Sequence, residues 1–70
     1  MNSLNYRGIV REFDSLRGRG TIQTDNGDCF PVRYSAIKGN GVRILQSGDR
    51  VSFELEQTVR GATAIRVSRD

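Results

Sequence analysis

The stretch Arg17-Gly18-Arg19-Gly20-Thr21-Ile22-Gln23 decides how the chain is read. Alternating arginine and glycine on its own suits a disordered basic tail. The continuation argues otherwise. Ile22 and Thr24 carry the run on as a strand, and Asp25-Asn26-Gly27-Asp28 closes it with a turn. In an extended strand Gly18, Gly20 and Ile22 share one face, while Arg19, Thr21 and Gln23 share the other. Glycines on the inward face let a strand bend and a neighbouring backbone approach. A disordered tract needs neither Ile22 nor the turn, so the segment is expected to be one strand of a folded sheet.

Outward from this segment the pattern stays all-β. Arg50 to Glu56 alternates strictly, with Val51, Phe53 and Leu55 on one face. Arg7 to Phe13 is rich in strand formers. Asp28 to Tyr34 sets Phe30, Val32 and Tyr34 on one parity and Pro31 and Arg33 on the other. Ala62 to Ser68 is expected to turn Ile65 and Val67 inward. Ser35 to Gly48 is long and polar, and its Ser-Ala-Ile-Lys start suits one helical or 3₁₀ turn. Five short strands with turns at Asp25-Asn26-Gly27 and Ser47-Gly48-Asp49 predict a small antiparallel barrel, whose closure removes exposed sheet edges.

The chain has 70 residues, of which 36% are apolar. A chain of that size buries only about 60% of its unfolded surface and forms one small domain, here 1–70, centred on Leu4 to Ser68. One cysteine, Cys29, excludes an internal disulfide framework and suits a reducing cytoplasm. With no histidine and one cysteine, the usual zinc-ligand sets cannot be assembled. Asp25-Asn26-Gly27-Asp28 has too few ligands for a calcium loop and reads as a hairpin turn. The opening MNSLNY lacks the features of a signal peptide, and no apolar run is long enough to span a membrane. Catalysis is not expected. No histidine can serve as base, no serine lies beside a base, and no carboxylate pair sits among apolar residues. Without a following helix and an acidic partner, Gly18-x-Gly20 is no dinucleotide loop. No cofactor is implied.

Charge is more informative. The net charge is +3 and ten of the eleven cations are arginine. From Met1 to Arg43, Arg7, Arg11, Arg17, Arg19, Arg33, Lys38 and Arg43 face only Glu12, Asp14, Asp25 and Asp28; from Ile44 on the charges balance. Arginine presents a planar fork that suits phosphate and stacks on bases, so the first part is expected to meet a polyanion.

These residues resemble the bacterial cold-shock domain, a five-stranded oligonucleotide-binding barrel, almost collinearly over Gly8 to Val67. Gly8-Ile9-Val10-Arg11 with Phe13 is similar to its opening G-x-V-K-W-F. Arg17 to Ile22 stands where its first ribonucleoprotein motif, K-G-F-G-F-I, is expected. Phe30 to Tyr34 stands where V-F-V-H-F is expected, and Ser35-Ala36-Ile37 matches the S-A-I that follows. Gly48 to Phe53 resembles G-Q-x-V-x-F. The resemblance implies binding of single-stranded RNA or DNA on the outer sheet by stacking on aromatic rings.

The rings themselves are mostly replaced: Glu12 stands for tryptophan, Arg19, Thr21 and Pro31 for phenylalanine, and Arg33 for histidine. Tyr34 and Phe13 remain, Tyr34 as a packing or a stacking residue and Phe13 partly in the core. Stacking is worth roughly 1–3 kcal/mol per base, so four lost positions remove on the order of 4–12 kcal/mol. A micromolar complex amounts to about 8 kcal/mol in all. The resemblance therefore implies weak, largely electrostatic binding by Arg11, Arg17, Arg19, Arg33 and Lys38, aided by Tyr34 and Phe13, in a regulator of transcription or RNA structure. The alternative is a protein-interaction module on the same scaffold, docking an acidic protein, as Glu12, Thr21 and Pro31 favour. Either suits a monomer or a homodimer. A plain reading of Arg17, Arg19 and Arg33 is a solvated outer face, with Glu12 paired across the strands to one of them.

Overall fold

The computed structural model describes residues 5–38 and 44–69. Leu4 and Arg43, both used above, lie outside the described residues. The strands are β1 (Tyr6–Asp14), β2 (Arg19–Thr24), β3 (Cys29–Arg33), β4 (Arg50–Thr58) and β5 (Gly61–Arg69), with one 3₁₀ turn at Tyr34–Ala36. They close into a barrel in the order β1-β2-β3-β5-β4. In a closed ring of five strands, directions cannot alternate all the way round, so one neighbouring pair must run parallel. That pair is β3–β5, joined at Val32–Ala64, while the other four pairings are antiparallel. The barrel expected from the sequence is present, with one parallel seam that its odd strand number requires.

Inward residues of period two build the core: Val10, Ile22, Val32, Val51, Phe53 and Val67 are fully buried, with Ile37, Leu45 and Ala64 beside them. Phe53 is the largest, and it stacks on Tyr6 at 5.8 Å and meets Phe30 at 6.4 Å. Both distances suit the ring–ring geometry that strengthens aromatic pairs. Val51 and Phe53 point inward as the alternation requires, and Leu55 is half-buried.

Two bulges break the period. In β1 the register steps from Val10–Ile22 to Glu12–Thr21, so Arg11 is an extra residue. Arg11 and Glu12 both face solvent, and Phe13 turns back to pack against the core. In β5 the register passes from Ser52–Ser68 to Glu54–Ile65, and Arg66 has φ of 49°. An arginine in the left-handed region is uncommon and marks the extra residue of the bulge. The expected inward pair Ile65 and Val67 is corrected accordingly. Ala64 and Val67 are buried and Ile65 is only half-buried, because the bulge shifts the phase by one residue.

The inward glycine of the opening segment is required by close approach. A Cβ on Gly20 would stand 2.8 Å from both the Cα and Cδ1 of Phe13 and would collide with the carbonyl oxygen of Glu12. β1 and β2 pack this tightly beneath the outward residues that form the candidate site.

Candidate nucleic-acid interface

Residues directly opposite each other on neighbouring strands share a face. The registers therefore lay out the outer surface of β1, β2 and β3 in rows. Asp14 faces Arg19, which faces Arg33; Glu12 faces Thr21, which faces Pro31; Gln23 faces Cys29. The first row is charged, the second carries one acid beside two uncharged residues, and the third sets exposed Ile9 beside Gln23 and Cys29. No aromatic side chain stands in any of them.

The loop between β1 and β2 completes the charged row. Oδ1 of Asp14 accepts from the backbone N–H groups of Leu16 (3.0 Å) and Arg17 (3.2 Å), and its carbonyl accepts from Gly18 N–H (2.8 Å). Such a side-chain-to-backbone turn fixes a loop locally. Gly18 takes φ of 68°, and its carbonyl accepts from Tyr34 N–H at 2.7 Å, which ties the loop to the end of β3. Arg17, Gly18, Arg19 and Arg33 consequently line one open depression of about 520 Å³.

Charge in this depression is only partly compensated. Arg17 Nε lies 3.7 Å from Asp14 Oδ2, with both side chains more than half exposed, and a pair of that kind contributes little. Among the described residues, neither Arg19 nor Arg33 makes an ion pair. Glu12, expected to pair across the strands with an arginine if Arg17, Arg19 and Arg33 form a solvated outer face, makes no ion pair either among the described residues. It faces Thr21, and the acid that engages Arg17 is Asp14.

Of the other residues of the expected groove, Phe13 and Tyr34 adjoin the arginines, while Arg11 and Lys38 do not line the depression. Arg11 reaches Gln23, its Nη1 donating to Oε1 at 2.5 Å, and shares a second hollow with Glu12, Thr21 and Cys29. Phe13 is half-buried and lines a further hollow together with Leu16, Arg17 and Arg19. Tyr34 is 42% exposed at the start of the 3₁₀ turn. Lys38 is exposed and follows β5, its N–H donating to Val67 O at 2.7 Å; it is not among the residues lining the arginine depression. Arg60, unmarked in the sequence reading, joins Arg19 and Arg33 around a neighbouring cleft of about 590 Å³. Its signal was an arginine-glycine pair at a hairpin tip, and only barrel closure brings that tip to β3. Among the described residues no cluster of metal-ligating side chains forms.

The family model described as the 'Cold-shock' DNA-binding domain matches residues 6–69. Cold shock protein CspC of Bacillus subtilis is 41% identical over 63 residues, covering 90% of this chain and 96% of that protein. The major cold shock protein of Streptococcus pyogenes serotype M1 is 35% identical over 63 residues, covering 90% and 94%. The cold shock-like protein CspLB of Listeria monocytogenes is 39% identical over 62 residues, covering 89% and 94%.

Proposed function

The chain belongs to the cold-shock DNA-binding domain family, whose proteins bind nucleic acid and are not enzymes, and from that membership we propose that it holds single-stranded RNA or DNA weakly, chiefly by charge. The carrying observation is the Arg19–Arg33 pair. Like charges directly opposite on adjacent strands destabilise a sheet. Two guanidinium groups kept there without an ion pair among the described residues suit a surface completed by an anion. Arg17 adds a third contact from the loop. Arg11 and Lys38 add positive charge beyond the depression, and Tyr34 and Phe13 offer the remaining ring surface. Such a protein acts on transcription or RNA structure in a bacterial cytoplasm.

A salt titration tests this. Binding of a fluorescent oligo-dT or oligo-U strand, followed by anisotropy from low to physiological salt, is expected to weaken steeply. For single strands each neutralised phosphate adds about 0.7 to the slope of log affinity on log salt. Arg19→Ala and Arg33→Ala are each expected to lower that slope by about 0.7. The ring-free row Glu12-Thr21-Pro31 favours a second reading, in which the same arginines dock an acidic protein. Absence of binding even at low salt selects it.

A further inference from the structure

We propose that the depression lined by Arg17, Gly18, Arg19 and Arg33 is a site for a phosphate monoester dianion, the terminal phosphate of a nucleic-acid strand. The proposal rests on the single-strand-binding reading above and narrows it to strand ends.

Charge balance is the first argument. An internal phosphodiester carries one negative charge and two free oxygens. A terminal phosphate carries about −1.5 to −2 at neutral pH and three free oxygens. Of the three arginines in the depression, Arg17 already leans towards Asp14 at 3.7 Å. Arg19, opposite Asp14, and Arg33 make no ion pair among the described residues, so three arginines against the one acid Asp14 leave two positive charges over at the hollow. One internal phosphate would leave one of them unmatched, whereas a monoester matches both, and two forks can grip three oxygens. Gly18, the remaining lining residue, has no side chain to hold the anion off.

The second argument is the asymmetry around the hollow. On the β1 side stand Asp14 and Glu12, in register with Arg19 and Thr21. A strand leaving over β1 would run its next phosphates past these acids. On the other side Arg19 and Arg33 also line the 590 Å³ cleft, together with Pro31, Val32, Ala36 and Val59, and with Arg60 and Glu56 at its hairpin. A cleft of mixed polar and apolar lining beyond a phosphate site suits a terminal nucleoside. Two acids border the hollow on the β1 side, against Glu56 offset by Arg60 on the other, so a strand leaves more favourably over the cleft, as an end would.

Oligothymidylates of about seven nucleotides, within the usual site size, carry the test. They bear a 5′-hydroxyl, a 5′-phosphate, a 5′-(methyl phosphate) or a 3′-phosphate, with the fluorophore at the opposite end. At physiological salt a terminal monoester is expected to bind about tenfold more tightly than the hydroxyl or the methyl diester, as one or two extra charge-assisted hydrogen bonds would give. The 5′ and 3′ arms show which end is held. Arg19→Gln and Arg33→Gln, both at exposed positions, are expected to erase the preference while circular dichroism shows the parent fold. Equal affinity of every strand at all salts, or a preference that survives both substitutions, overturns the proposal while leaving single-strand binding intact. Failure of all strands to bind at low salt overturns both.

Discussion

Gly20→Ala is expected to lower the midpoint of thermal unfolding by about 12–24 °C. Overpacking a strand pair costs about 1–3 kcal/mol, and this site belongs at the upper end. The new methyl group would meet the Glu12 carbonyl and the Phe13 Cα, and backbone cannot swing aside as a flexible side chain can. For a domain of 60–100 residues each kcal/mol moves the midpoint by about 4–8 °C. Gly27→Ala is the matched control. Its φ of 94° makes alanine strained there, yet nothing stands within 4 Å of the added carbon, so the loss is about 1 kcal/mol. Melting curves followed by far-ultraviolet circular dichroism compare the two. A Gly20→Ala melt within a few degrees of the parent would mean that β1 and β2 are not as close as described.

Arg33→Glu is expected to move stability and binding in opposite directions. The glutamate would face Arg19 across the β2–β3 ladder and convert a like-charge pair into an opposite one. Cross-strand pairs of this kind differ by roughly 0.2–1 kcal/mol each, so the melting midpoint should rise by a few degrees. Binding of an oligo-dT strand should fall at least about a hundredfold at low salt, since a phosphate contact is replaced by repulsion and 2.7 kcal/mol corresponds to that factor. The opposite signs are informative. A variant that binds poorly because it unfolds also melts earlier, whereas this one melts later. Retained binding together with a lower midpoint would remove Arg33 from the interface and end the charge-based reading.

The barrel was legible because its alternation is strict where it matters. Val10, Ile22, Val32, Val51 and Phe53 each fall on the inward parity and each is buried. The bulges were not legible. Both use arginine, Arg11 in β1 and Arg66 in β5, where a glycine would have flagged an irregular backbone. That is why Ile65 was expected in a position that Ala64 occupies. In the candidate site, Arg17, Arg19 and Arg33 were grouped through the resemblance, which sets them at the positions of the two ribonucleoprotein motifs, in and just before β2 and at the end of β3. Asp14 was hidden as a plain surface acid, since its hydrogen bonds run to the loop backbone beyond it. Arg60 and Lys38 depend on how the chain closes between β3 and β5, and local pattern carries no information about that.

The parallel seam between β3 and β5 has a kinetic consequence. Among the described residues only Val32–Ala64 is in register there, supported by the Ile37–Val67 bridge and by the Thr63 hydroxyl donating to Pro31 O at 3.2 Å. The β1-β2-β3 meander can form from neighbours in the chain, whereas this latch must wait for a loop of many residues to return. It should be the last part to zip and the first to breathe. Native-state hydrogen exchange should find the seam's amides opening at lower free energy than those joining β1 to β2, and equal protection would refute this. A strand lying across Arg33 and Arg60 would straddle the latch and hold it shut.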